Sequence, residues 1–323
     1  MKYYIIAGEA SGDLYGSKLI DEIFSIDKNA DIRFWGGDKM IKSGGQNVKH
    51  IKELAFMGFY EVLKNIKTIF KNFQFCKNDI ENFNPDKIIY IDYPGFNLKI
   101  CKWAKSKGYK NYYYISPQIW AWKESRIKTI KNNIDKLYVI FPFEKEYYQE
   151  KHNMEVEFYG HPLIEQINSF NSNNEFLKKN NINEEKEIIT LLPGSRSQEI
   201  NSMLPIFLTL KKHFSNYEFI VAGVKNVNQS VYQPALNRNV KVVYNQTYDL
   251  LSRSKIAIVT SGTASLECAL FNVPQIVCYK TSSISYFIGK SFVNISFISL
   301  VNIILKKVVV KELIQNDLTE KKL

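Results

Sequence analysis

Short β-branched or aromatic runs, each followed by turn residues and then by a stretch of helical periodicity, recur along this chain in two series. The first comprises residues 3–7, 88–92, 112–115, 137–141 and 156–159; the second comprises 188–192, 219–222, 240–244, 256–260 and 275–279. An apolar run without polar alternation is a strand covered on both faces, and strands that alternate with helices imply a parallel sheet with crossover helices. A series that begins twice predicts an α/β protein of two doubly wound, parallel-sheet domains. At 323 residues the chain is also too long for one average core. Between the series, residues 168–186 are Asn-rich and charged with few large apolar side chains, as a linker or surface helix would be. The expected domains are therefore 1–167 and 168–323.

With 45% apolar and 23% charged residues, a disordered tail or a disulfide-stapled miniprotein is excluded. The formal charge is +11, and only Arg33, Arg126, Arg196, Arg238 and Arg253 of the basic residues are arginines. A lysine excess favours point-charge attraction to phosphates or anionic surfaces over bidentate base reading. Cys76, Cys101, Cys268 and Cys278 form no CxxC pair and the four histidines are scattered, so neither a metal site nor a disulfide framework is expected. Buried thiols in a reducing cytoplasm are the plain reading. The apolar run at the N-terminus is too short for a signal-peptide core. Residues 284–305 carry one charge, Lys290, over a length that could span a bilayer, but Ser285, Gly289, Ser291, Asn294, Ser296, Ser299 and Asn302 interrupt it. A helix–loop–helix in a core or against a membrane surface is the expectation there.

In parallel sheets, ligands bind beside the turns that follow the strands. After the first strand comes GEASGD, in which Gly8 and Gly12 let the backbone turn and approach a ligand, Ser11 or Asp13 can cap the next helix, and Glu9 faces the cleft. The spacing is not G-x-G-x-x-G, which disfavours NAD or FAD. By spacing alone, an ordinary tight strand-to-helix turn is the favoured reading. Asp92 ends a second apolar strand, before YPGFN. A carboxylate there suits a general base for a sugar hydroxyl; a turn aspartate completed by Pro94 and Gly95 fits the pattern equally well.

In the second series, Pro193, Gly194 and Ser195 lead into a helix, with Arg196 at the turn. Phosphate is the favoured partner, and a surface arginine in a capping turn is the alternative. Ser261, Gly262, Thr263 and Ala264 open another helix whose N-terminus can face a diphosphate, with Glu267 one turn in to meet a ribose; close helix–sheet packing with Glu267 in a capping box is the alternative. Two phosphate-compatible turns in one domain point to a nucleotide. No Asp-x-Asp triplet occurs, so a leaving diphosphate would be neutralised by arginine and helix dipoles, with no metal and no cofactor.

From Lys99 to Lys136 there are ten basic residues opposed only by Glu124 and Asp135, interleaved with Trp103, Trp120, Trp122 and three consecutive tyrosines. Basic heads with interfacial aromatics fit docking on an anionic leaflet; no nucleic-acid-binding signature accompanies them. A solvated lysine-rich face over core aromatics accounts for the same pattern in part.

The segments IAGEASGDLYG, ELAFMGFYEVL, PDKIIYIDYPGFN, YYISPQIWAWKESR, FPFEKEYY, FYGHPL, LLPGSRSQEI, TSGTASLECAL and FISLVN, in this order, resemble the lipid-A-disaccharide synthases of Gram-negative bacteria over residues 2–318. The resemblance implies a GT-B-type fold and an inverting, metal-independent hexosyltransferase. It would join UDP-2,3-diacylglucosamine to 2,3-diacylglucosamine 1-phosphate, giving a β-1,6-linked disaccharide phosphate and UDP. Such an enzyme works on the cytoplasmic face of the inner membrane, against its anionic surface. The first domain then faces acceptor and membrane, and the second holds the UDP-sugar. By position, Asp92 matches the family's general base, Glu9 a glutamate needed for activity, Arg196 an arginine near the diphosphate and Asn302 a functional asparagine. Ser261, Gly262, Thr263 and Glu267 match the nucleotide-binding turn and helix. Gly95 stands where many members carry a second acid. The resemblance further implies that the C-terminal helices that cross back in GT-B folds, and that help exchange segments between partners of a homodimer, are missing from a chain that stops at Leu323. The rival readings are another UDP-sugar enzyme of the same fold, such as a UDP-N-acetylglucosamine 2-epimerase, and an inactive lipid-binding remnant.

Overall fold

The computed structural model describes residues 1–54, 66–282, 286–287 and 296–323. The chain divides into two compact units, Met1–Pro162 and Leu163–Leu323. The first contains seven strands: β1 (Lys2–Ala7), β2 (Asp31–Gly36), β3 (Gln46–His50), β4 (Lys87–Ile91), β5 (Asn111–Tyr114), β6 (Lys136–Val139) and β7 (Glu157–Phe158). They pair in the order β3-β2-β1-β4-β5-β6-β7, all parallel. The second contains β8 (Ile188–Leu192), β9 (Glu218–Gly223), β10 (Lys241–Tyr244), β11 (Ser254–Thr260), β12 (Gln275–Tyr279) and β13 (Lys311–Ile314), ordered β10-β9-β8-β11-β12-β13 and again all parallel. Two doubly wound α/β domains are thus the observed architecture.

All ten apolar runs are strands, and their burial explains why. Four successive residues of β1 and all five of β8 are buried, as strands covered on both faces must be. In the first unit Tyr4, Ile6, Trp35, Tyr90 and Tyr113 share one core with Cys76, Ile80 and Ile100 from the helices Ile66–Phe83 and Pro94–Ser106. In the second unit the two faces of the sheet carry separate clusters, one around Phe207 and Tyr232, the other around Phe176 and Val259. The four cysteines are buried free thiols. β2, β3 and β13 lie outside the ten runs: Asp31 and Arg33 interrupt β2, β3 is a polar edge, and β13 begins Lys-Glu.

The units divide five residues earlier than the sequence-based boundary, because the helix Pro162–Asn168 goes with the second unit and its Leu163 is buried. The Asn-rich stretch is anchored rather than free. Phe176 and Ile182 enter the second core, and the Asn173 N–H donates to Asp249 at 2.7 Å. In the apolar stretch 284–305, residues 284, 285 and 288–295 lie outside the described residues, as do residues 55–63 of the ELAFMGFYEVL motif. The rest of the stretch ends in the helix Leu300–Leu305, capped by the buried Ser299 hydroxyl. No described helix is long and apolar enough to cross a membrane.

Candidate functional site

In each sheet the strand order reverses once, between β1 and β4 and between β8 and β11. The helices that follow neighbouring strands leave on opposite faces at such a point, opening a crevice at the strands' carboxyl ends. The turn carrying Gly8 and Glu9 and the turn carrying Asp92 flank the first reversal. The turn 193–196 and the turn 261–263 flank the second.

At the first reversal the chain departs from ordinary geometry. Asp92 (φ +44°) and Tyr93 (φ +49°) are successive non-glycine residues in the left-handed region, followed by Pro94 at the start of a helix. Asp92 is half-buried and lies one residue beyond β4, not within it. Burial first, and the Glu9 carboxylate second, push its carboxyl up to about 6, against the opposing pull of the Tyr93 N–H and of Arg126. A carboxylate raised in this way remains ionised at neutral pH, yet is more basic than an exposed aspartate. Gly8 meets the Tyr93 side chain rather than open space. A Cβ there would sit 2.3 Å from the Tyr93 ring, so glycine is required by an internal contact. Gly12 serves helix-to-strand packing against Ala7.

Two sequence expectations need correction here. Neither Ser11 nor Asp13 caps the first helix, which spans Ala10–Ile26 with Glu9 at its N-cap. Ser11 is exposed, while the buried Asp13 accepts the backbone N–H groups of Gly37, Lys39 and Met40 at 2.7, 3.1 and 3.0 Å. It caps the next helix, Asp38–Ser43, whose own N-cap Gly37 has no side chain to do so. Arg126, from the 3₁₀ turn Glu124–Arg126, went unmarked as a site residue, although its rarity as one of few arginines was the available signal.

At the second reversal a cavity of about 400 Å³ is lined by Gly194, Ser195, Arg196, Ser261, Gly262, Thr263 and Glu267, seven of the sequence candidates. Leu192, Ala222 and Val224 add apolar wall, and Thr247, Thr260 and Glu199 add polar groups that sequence reading missed. Thr260 Oγ1 is buried without a hydrogen-bond partner among the described residues. Gly194 (φ +118°) and Gly262 (φ +150°) place both turns in backbone conformations that side chains resist. Gly262 is the N-cap of the helix Thr263–Leu270, and a Cβ on it would meet nothing within 4 Å among the described residues beyond its chain neighbours. The turn after β8 is not simply a row of vacant donors. Glu199 Oε2 accepts from the N–H groups of Ser195 at 3.0 Å and Arg196 at 3.3 Å, and its Oε1 lies 3.4 Å from Arg196 Nη1. The turn at Ser261 is likewise engaged, its hydroxyl donating to the Ile298 carbonyl at 2.7 Å, while Glu267 accepts from the Tyr248 hydroxyl at 3.2 Å.

Asn302 is not in this cavity. It is fully buried; its amide N–H groups donate to the Val310 carbonyl and Glu312, and its oxygen accepts from the Val309 and Val310 N–H groups. That is the bonding of a side chain that ties a loop to β13. In the basic segment Trp103 and Trp120 are turned partly inward, leaving Trp122 exposed beneath Lys123, whose Nζ is 4.4 Å from its ring. Lys105, Lys107 and Lys136 are paired with Asp135, Glu81 and Glu157. No three described His, Cys, Asp or Glu side chains are grouped as ligands of one ion would be.

Two all-parallel α/β domains, each with its reversal of strand order, are the architecture of the GT-B fold. Solved neighbours share that fold. The glycotransferase of kitacinnamycin matches with a TM-score of 0.65 at 12% identity, covering 99% of this chain and 88% of its own. The Neisseria meningitidis UDP-GlcNAc 2-epimerase bound to UDP-GlcNAc matches with a TM-score of 0.59 at 14% identity, covering 95% and 90%. Sequence comparison narrows the class. The lipid-A-disaccharide synthetase family model matches residues 3–323, and the chain belongs to that family of glycosyltransferases. Among similar relatives, the lipid-A-disaccharide synthase of Coxiella burnetii (strain Dugway 5J108-111) is 38% identical over 295 residues, 90% of this chain and 78% of the relative. Lipid-A-disaccharide synthase 1 of Legionella pneumophila (strain Paris) is 38% identical over 299 residues, with the same coverage.

Proposed function

We propose that this chain transfers the sugar of UDP-2,3-diacylglucosamine to 2,3-diacylglucosamine 1-phosphate, forming the lipid A disaccharide 1-phosphate and UDP. Family membership supports the overall reaction. What supports the residue roles is that the turns carrying Glu9 and Asp92 flank one reversal of strand order and those carrying Arg196 and Gly262 flank the other.

In the first unit Asp92 takes the proton of the acceptor 6-hydroxyl, and Glu9 beside it keeps the carboxylate basic. The freed oxygen attacks the anomeric carbon in line with the departing diphosphate, so the C1–O bond to UDP breaks as the new bond forms and the configuration inverts. In the second unit Arg196 and the helix that Gly262 opens stabilise the charge that builds on the leaving UDP; no metal is needed for that task. Glu267 and Thr260, which line the same cavity, serve the nucleoside end. The exposed Trp122 with Lys123, together with the lysine-rich composition of the segment from Lys99 to Lys136, supports peripheral docking on the anionic inner face of the inner membrane.

The direct test supplies radiolabelled UDP-2,3-diacylglucosamine and the monosaccharide phosphate in detergent, with and without chelator. A labelled disaccharide phosphate on thin-layer chromatography, β-linked by NMR and formed equally with chelator, is the expected result. Free label with no disaccharide would overturn the proposal.

A further inference from the structure

We infer that Tyr113 and Asn97 are positioning residues for Asp92, gripping its main-chain carbonyl so that the carboxylate stands beside Glu9 and Arg126 instead of turning to solvent. This rests on the reading of Asp92 as the base.

Two successive left-handed residues with side chains do not persist unless their surroundings impose that conformation, and such residues gather where the backbone must aim a functional group. Here the surroundings are specific. The Asp92 carbonyl accepts the Tyr113 hydroxyl at 2.5 Å and Asn97 Nδ2 at 2.7 Å, while its N–H donates to the Tyr114 carbonyl at 3.2 Å. Tyr113 comes from β5, the strand beside β4, and its ring is fully buried against Tyr90, so the hydroxyl has a fixed origin. Asn97 is fully buried on the helix Pro94–Ser106. Its Nδ2 also lies 3.3 Å from the Ile6 carbonyl on β1 and 3.4 Å from the Ile91 carbonyl on β4, the two strands of the reversal. Two amide hydrogens serve three carbonyls, and Oδ1 has no partner among the described residues. A packing residue would not need a buried amide left short on one side and shared on the other. A strap across two strand ends and the turn between them uses it fully.

The charged and titratable groups around the Asp92 carboxylate come from each surrounding element: Glu9 ahead of the first helix, Tyr93 in the same turn, Tyr113 on β5 and Arg126 in its 3₁₀ turn. With the grip loosened, the turn relaxes, the carboxylate moves toward water, and both burial and Glu9 raise its proton affinity less.

The test is Tyr113→Phe, which keeps the ring and deletes only the hydroxyl, read as kcat, acceptor KM, UDP affinity and the pH profile of kcat/KM. The expected result is a fall in kcat of about tenfold with UDP affinity unchanged, and an acid limb shifted downward from about 6 toward the ordinary aspartate value. Asn97→Ser, assayed below its unfolding temperature, should repeat the pattern. Full kcat with an unmoved acid limb in both variants, whatever their thermal stability, would reduce the two residues to structural ones and overturn the inference. Asp92→Asn separates the two failures. If it retains full turnover, the base reading itself falls; if it is inactive while both Tyr113→Phe and Asn97→Ser keep the wild-type kcat and acid limb, only the positioning inference falls.

Discussion

Gly262→Ala is the sharpest probe of the second reversal. At φ +150° and ψ −162°, Gly262 occupies a region that is essentially closed to any residue with a Cβ. Among the described residues no atom other than those of its chain neighbours lies within 4 Å of where that Cβ would go, so the cost comes from backbone strain. Strain of this kind is worth roughly 1–3 kcal/mol. For a unit of this size each kcal/mol moves the transition by roughly 2–4 °C, so calorimetry should show the second unit melting about 2–12 °C earlier. The new methyl also projects from a turn that lines the cavity, and UDP titration should show weaker binding. Gly95→Ala is the control: it too has open space, but no positive φ, and it lies in a helix, where alanine is preferred. It should melt at or above the wild-type temperature. Equal melting and equal UDP affinity for Gly262→Ala and wild type would refute the claim that this turn is built around a glycine-only conformation.

Other outcomes follow from charge. Glu199 holds two N–H groups and Arg196 at the edge of the proposed diphosphate cradle, so Glu199→Gln should tighten UDP several-fold in calorimetry while costing the capped helix about 0.5–1 kcal/mol. Arg196→Ala should weaken UDP about tenfold or more; unchanged affinity would move the diphosphate elsewhere. Asp92 binds its proton more tightly folded, at about 6, than its ordinary 3.8, so the stability it contributes is complete below 3.8 and is lost as pH rises through 6. Asp92→Asn should therefore gain on wild type between pH 4 and 6 and hold that gain above. The shift corresponds to roughly 3 kcal/mol, which partial exposure trims to about 1–2. A Tm difference independent of pH would contradict the assignment.

The strands were legible because a sheet covered on both faces writes its burial as a continuous apolar run. β3 and β13 escaped because an edge strand has only one neighbour and tolerates lysine, asparagine and glutamine. The site was legible as turns, since glycines and small residues after a strand announce that the backbone bends there. What each turn does with its donors was not. Asp13 sits where a first-helix cap would, but serves a helix that chain order separates from it by more than a strand. Glu199 reads as an ordinary helix residue until its carboxylate is seen folded onto Ser195 and Arg196. Asn302 carries a polar side chain in an apolar stretch, a pattern shared by binding residues and by loop ties, and only its four hydrogen bonds separate the two. Tyr113 and Asn97 act on a main-chain carbonyl, which no side-chain pattern records.

The central claim is that one carboxylate in the first unit drives the transfer while UDP is held by the second unit without its help. Turnover and UDP affinity measured together on Asp92→Asn test it most directly. Turnover should fall about 10²- to 10⁴-fold with the UDP dissociation constant within about twofold of wild type. Turnover near the wild-type rate, or a matching loss of UDP binding, would contradict it.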